Sequence, residues 1–311
     1  MIEEVVRVRL PVEETFRIRK NVITNGPGKR VCVVTGIHGD ELEGQYVCFL
    51  LSQILNREKE KLHGSVEIYP AVNPLGIDSI QRGIPGFDLD MNRTFPGSDL
   101  GDMTEFVARK LLEDVSGADV VFDIHASNIF LTEIPQIRIN EQHRDRLVPL
   151  AEQANVDFIW VHGASTVLES TFAYSLNSTG TPCLVVEMGV GMRLTGEYGQ
   201  QLTNGILNVM KGLGMWDGEV PPVRTPLLCE KNEEVEFLNA PCSGMFMKTK
   251  NHGTWVKKGE TVGYIFDPFT GEVTEYVGAS KSGLLFTIRE YPLVDEGSLM
   301  GRILVREVEQ P

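Results

Sequence analysis

The chain has 311 residues, with 29 lysines plus arginines against 43 aspartates plus glutamates, a formal net charge of −14, and 42% hydrophobic residues. Such an acidic, mixed-charge composition excludes a nucleic-acid binder with a general basic face and reads as a soluble cytoplasmic protein. At this length roughly three quarters of the unfolded chain's surface is buried on folding, so a core forms without disulfides or a structural metal, in one large or two smaller domains.

From the amino end, Met1 to Leu10 alternates charged and apolar residues, unlike the basic start and unbroken apolar run of a secretory signal. Neither secretion nor a membrane anchor is therefore expected. Five cysteines, Cys32, Cys48, Cys183, Cys229 and Cys242, are scattered without a CxxC pair and read as reduced core residues. The β-branched run 31–35 predicts a strand ending at Gly36, and Leu42, Tyr46, Phe49, Leu50 and Ile54 recur at helical spacing over 41–56. Further strands are expected at 65–71, 119–124 and 183–187, with helices near 104–115, 144–154 and 199–212. Buried strands alternating with helices predict an α/β domain over residues 1–215, built on a mostly parallel or mixed sheet. Turn formers and prolines over 216–226 predict a linker, and the glycine-spaced β-type segments after it predict a small all-β module over 227–311.

Four segments carry residues of chemical interest. Thr35-Gly-Ile-His38-Gly-Asp-Glu41 stands where a strand gives way to a helix, so one turn can aim an imidazole and a carboxylate at a common point. The same acids also suit a plain helix N-terminus. Val120-Val-Phe-Asp-Ile-His125 ends a second strand in a histidine, at the carboxyl edge where open α/β sheets place their sites. His38, Glu41 and His125 together match the three-ligand set of an open catalytic zinc; a lone surface histidine is the alternative for His125. Asn73-Pro-Leu-Gly76, Arg82 and Asp90-Met-Asn92-Arg93 lie in a stretch framed by glycine and proline, where asparagine and arginine can grip a carboxylate and Arg82 can face a developing oxyanion. An ordinary surface loop has the same composition. Pro182-Cys-Leu-Val-Val-Glu187 is an apolar strand ending in a carboxylate that has no neutralising partner within it. Glu187 is then either a base of raised pKa or a residue that meets solvent. His63, His143, His162 and His252 have no comparable setting and are expected to be structural or solvent-facing.

In this order, GxHGDE, NPxG, DxxMNRTFPG and VVEMG resemble the succinylglutamate desuccinylase and aspartoacylase family of zinc hydrolases, whose core is similar to that of zinc carboxypeptidases. The resemblance implies a mixed sheet flanked by helices and followed by a barrel-sandwich-like β module. It implies one Zn2+ per chain on His38, Glu41 and His125, with Glu187 as general base and later acid. It also implies that Arg82 polarises the substrate carbonyl, that Asn92 and Arg93 hold a substrate carboxylate, and that Asp90 orients His38. The implied reaction is hydrolysis of an N-acyl amino acid or similar small anionic amide. A metallocarboxypeptidase and a non-catalytic binding protein on the same scaffold are the competing readings. Neither a nucleic acid nor a membrane is an implied partner, and a homo-oligomer is left open.

Some residues depart from the family pattern. Relatives acting on acylated acidic amino acids are expected to carry a further arginine before the catalytic glutamate, yet residues 171–182 contain no basic residue. That argues against N-acetylaspartate or succinylglutamate and leaves Arg138 and Arg193 as candidates for a substitute. The stretch from Gly83 to Phe87 lengthens the spacing between Arg82 and Asn92. Lys281 stands in a hairpin where biotinyl or lipoyl carriers place a modified lysine, but without the usual recognition neighbours. The module is expected instead to shape or cover the cleft, with Tyr264 or Tyr276 reaching it.

Overall fold

A computed structural model of the chain describes residues 1–86, 89–163 and 169–307. Its first part runs β1 (Ile2–Arg9), β2 (Thr15–Asn25), β3 (Arg30–Thr35), α1 (Glu43–Arg57), β4 (Gly64–Tyr69), α2 (Pro74–Ser79), α3 (Met103–Val115), β5 (Val120–His125), β6 (Leu131–Asn140), α4 (Arg144–Ala151), β7 (Phe158–His162), α5 (Phe172–Ser178), β8 (Cys183–Gly189) and α6 (Gly196–Gly212). There follow β9 (Leu227–Cys229), β10 (Val235–Asn239), β11 (Gly244–Lys248), β12 (Thr254–Val256), β13 (Thr261–Asp267), β14 (Glu272–Gly278), β15 (Gly283–Arg289), β16 (Leu293–Val294) and β17 (Leu299–Val305). The expected strands and helices form within a few residues of their predicted ends; the β1–β2 hairpin, α2, β6, β7 and α5 add to them.

The main sheet is mixed and has 13 strands, in the order β1-β2-β4-β3-β5-β8-β6-β15-β17-β10, with β7, β9 and β12 branching from it. Strands β4, β3, β5 and β8 are mutually parallel, while β6 joins β8 antiparallel. Along β3, Val31 and Val33 enter one apolar cluster and Cys32 and Val34 the other, so alternate side chains feed cores on both faces of the sheet. The helices cover those cores. Helix α1 turns Val47, Cys48, Leu51 and Leu55 inward. This is a stripe offset from the one expected, and Phe49 is exposed, because packing against β3 and not hydrophobicity alone decides which face is buried. Helix α3 begins in a capping box in which Asp102 and Glu105 satisfy each other's orphan amides.

In the carboxyl-terminal part, β14, β13, β11 and β16 form a separate four-stranded sheet that encloses a third core with strands of the main sheet. Pairing of β15 with β6 and of β9 with β7 carries the main sheet into this part of the chain. Among the described residues no helix is long and apolar enough to cross a membrane.

The topology fixes where chemistry can occur. Strand β3 has β4 on one side and β5 on the other. The connection leaving β3 runs to β4 on one side and the one leaving β5 runs toward β6 on the other, so they part at this point and open a crevice at the carboxyl ends of the two strands. Phe122 of β5, fully buried, anchors that pair to the core. Replacing it in Phe122→Ala is expected to cost about 3–5 kcal/mol of stability, read as a lowered midpoint in urea denaturation with an unchanged slope.

Candidate active site

His38 leaves β3 through Gly36, whose φ of 73° lies in the left-handed region. The next turn is held by close backbone packing, since a Cβ on Gly39 would stand 2.0 Å from the carbonyl carbon of Gly76. That contact explains the two glycines in GxHGDE and NPxG. Asn73 caps α2 by accepting from the Gly76 amide at 3.0 Å and donates to the Gly83 carbonyl at 3.0 Å, so it serves the turn and not a ligand.

This packing delivers three buried side chains to one point. Glu41 Oε1 lies 2.8 Å from His38 Nδ1, Glu41 Oε2 lies 2.9 Å from His125 Nδ1, and the two Nδ1 atoms are 3.3 Å apart. One ligand atom from each residue falls within 4.8 Å of the others. The outer nitrogens face carboxylates: His38 Nε2 is 3.1 Å from Asp90 Oδ1, and His125 Nε2 is 3.1 Å from Asp123 Oδ1. Asp90 lies within hydrogen-bond distance of His38 Nε2 and Asp123 stands at ion-pair distance from His125 Nε2, so with a proton on each Nε2 both Nδ1 lone pairs and a carboxylate oxygen converge. Such a donor set fits a zinc ion. Burial by itself would lower both histidine pKa values, but Glu41 and the aspartates reverse the effect and raise them, His125 strongly. Burial likewise opposes ionisation of Glu41, yet the two imidazoles hold its carboxyl well below the usual range.

Glu187 sits opposite His125 in the β5–β8 ladder, which puts the two side chains at the same level of the crevice. Burial pushes its pKa up against the opposing charges of Arg138 and His125. The partner missing from its own strand comes from the neighbouring one: Arg138 Nη1 of β6 is 3.4 Å from Glu187 Oε1. Arg82 lies beside the ligands, its guanidinium paired with Glu41 Oε1 at 2.9 Å and Asp90 Oδ2 at 3.4 Å. Asn92 is buried with its side-chain oxygen accepting from the Phe172 amide at 2.9 Å, and exposed Arg93 donates to the Asn92 carbonyl at 2.7 Å. His38, Glu41, His125, Arg82, Asn92, Arg93, Arg138 and Glu187 line a cavity of about 510 Å³.

The structure corrects several expectations. His143 and His162, expected to be structural or solvent-facing, both line the cavity, with pKa values pushed down by burial. Arg138 lies in the cavity wall but is not free, since Glu133 takes its Nη2 at 2.8 Å. Arg193 donates to the neighbouring Met192 carbonyl at 2.9 Å and does not line the cavity. Tyr264 and Tyr276 pack on each other, ring centroids 6.2 Å apart, and among the described residues of the module Arg302 reaches the cavity. Asp123 was missed although it stands two residues before His125, the strand periodicity that places both side chains on one face. Phe87 of the lengthened spacing lies outside the described residues.

Comparison with known proteins follows the same lines. A family model, the succinylglutamate desuccinylase/aspartoacylase catalytic domain, matches residues 27–213. The N-alpha-acetyl-L-2,4-diaminobutyric acid deacetylase of Halomonas elongata is 25% identical over 281 residues, covering 87% of this chain and 80% of its own. A succinylglutamate desuccinylase/aspartoacylase structure from Rhodobacter sphaeroides superposes with a TM-score of 0.81 at 25% identity, over 99% of this chain and 96% of that one. The product-bound ectoine utilization protein EutE of Ruegeria pomeroyi shares the fold, with a TM-score of 0.83 at 20% identity over 98% and 95% of the two chains. With the catalytic-domain match spanning more than half of its length, the chain belongs to the succinylglutamate desuccinylase/aspartoacylase family.

Proposed function

We propose that the protein is a zinc-dependent amidohydrolase that removes an acyl group from an N-acyl amino acid or a similar small carboxylate-bearing amide. The observation that carries this reading is the convergence of His38, Glu41 and His125 beside Glu187 at the ends of three parallel strands. Likeness to the Halomonas deacetylase, an enzyme named for an acetylated amino acid, supports the substrate class. When bound at the three ligands, zinc lowers the pKa of a water toward neutrality and polarises a carbonyl.

The chain's own groups complete the chemistry. Glu187, its proton affinity raised by burial, takes the proton of the attacking water and returns it to the leaving amine. Asp90 and Asp123 fix the tautomers of the two ligating imidazoles. Arg82 lies against Glu41 at the cavity wall, where its charge faces the oxyanion as the carbonyl is attacked. Among the described residues, Arg93 is the cavity arginine that makes no ion pair, and with Asn92 it is placed to meet a substrate carboxylate. A cavity of about 510 Å³ suits an acylated amino acid better than a peptide chain. Five free cysteines, four of them buried, support a reducing, cytoplasmic location.

Dialysis against a chelator is expected to abolish release of acetate from acetylated amino acids, and added zinc to restore it; full activity without metal, or faster turnover of dipeptides, overturns the reading. Glu187→Gln should retain one zinc per chain by elemental analysis while kcat falls about 10²- to 10⁴-fold. Asp123→Asn, a change at a residue 3.1 Å from the proposed ligand His125, should weaken zinc binding about 10- to 100-fold in a competitive chelation titration.

A further inference from the structure

Glu133 is a fully buried carboxylate on β6. It accepts from Arg138 Nη2 at 2.8 Å, from Thr287 Oγ1 at 3.1 Å and from Arg302 Nη1 at 2.6 Å. Thr287 and Arg302 are direct partners in the β15–β17 ladder, and Thr287 also pairs with Glu133 across β15 and β6. Two donors from the carboxyl-terminal part of the chain are thus set side by side on this one carboxylate. Arg138 stands five positions further along β6, beyond an irregularity in the ladder with β8, and its other terminal nitrogen is the one 3.4 Å from Glu187.

Two guanidinium groups and two carboxylates form one chain of contacts, Arg302 to Glu133 to Arg138 to Glu187, with no net charge. Sharing is the essential feature. Arg138 divides its donors between Glu133 and Glu187, and it can do so only while a second cation meets part of the demand of Glu133. Without that cation, a carboxylate shut away from water draws its remaining arginine fully onto itself.

We propose that Arg302 is a positioning residue of the hydrolase site: by sharing Glu133 it keeps Arg138 extended toward Glu187 and so holds the base in place. The inference rests on the reading of Glu187 as base. It assigns the β module a part in the reaction, though Arg302 is not itself a catalytic residue.

The test uses the full-length, zinc-loaded protein with Arg302→Gln and Arg302→Lys. Arg302→Gln is expected to lower kcat about 10- to 100-fold, the effect of a misplaced reacting group, with KM changed less than about threefold and zinc content unaltered. Arg302→Lys, which restores the charge, should recover most of that loss. An unchanged kcat, a loss confined to KM, or a lysine variant no better than glutamine overturns the proposal. Crystal structures of the variants supply a readout independent of turnover. In Arg302→Gln the Arg138 to Glu187 contact should be broken, and its persistence at 3.4 Å overturns the proposal. If the parent chain releases no acyl group, the reading of its function fails, while the crystallographic arm still decides the role of Arg302. Should Arg302→Gln not fold, Arg302→Met keeps the stem over the Phe237 ring, where the guanidinium now lies 5.7 Å from the centroid, and serves in its place.

Discussion

Glu41 is a carboxylate almost wholly removed from water, and most of the amino-terminal architecture can be derived from what keeps it there. Isolated in such a place, a charge of this kind is driven to take up a proton. Here it is met by His38 Nδ1 at 2.8 Å, His125 Nδ1 at 2.9 Å, Arg82 Nη1 at 2.9 Å and the Ala126 amide at 3.2 Å. These groups come from three separate stretches of chain. They converge only if β3 and β5 lie side by side with their carboxyl ends level, and only if the turn after β3 closes onto Gly76. Parallel pairing of β3 with β5 supplies the first condition, and the absence of a side chain at Gly39 supplies the second.

Charge in the cavity is organised in two groups. One is centred on Glu41, where Asp90 and Asp123 add to its charge and Arg82 opposes it, and the other on Glu133, where two arginines face Glu133 and Glu187. Only the second sums to zero, in a chain whose net charge is −14. Under the proposed function, an anionic substrate would be drawn by a cation at His38, Glu41 and His125 and by Arg93, which makes no ion pair among the described residues, and not by a diffuse basic surface. Arg138, the natural candidate for a second carboxylate clamp, is already committed to two glutamates, which weighs against a dicarboxylate substrate.

Much of the site was legible in the sequence because its main parts end strands. A β-branched run closing in Gly-x-His, an apolar strand closing in His125 and another closing in Glu187 each combine a local pattern with a reactive residue, and parallel strands bring such ends to one edge. Asp123 carries a weaker signal, since an acid inside an apolar strand is legible as unusual but its partner is not named by spacing. His143 and His162 carried none. Their place in the wall follows from how α4 and β7 pack beside β6, not from the residues next to them. The apolar residues picked out on α1 differ from those it buries for a related reason, because several apolar faces were available and packing selected one.

Least legible was the link between Glu133 and Arg302, separated by 169 positions and joined through two ladders. We keep a division at residues 216–226 as a proposal drawn from the change in composition. Hydrogen bonding nevertheless runs across it. Strand β8 holds Glu187 and pairs with β6; β6 holds Glu133 and Arg138 and pairs with β15; β15 holds Thr287 and pairs with β17, which holds Arg302. A side chain at one end of this series is tied to the next by the pleat, which sets neighbouring residues on a common face about 5 Å apart. The β module therefore does more than narrow the approach to a cleft. It completes the charge on Glu133, and through that carboxylate it determines how Arg138 is divided between a structural partner and the proposed base.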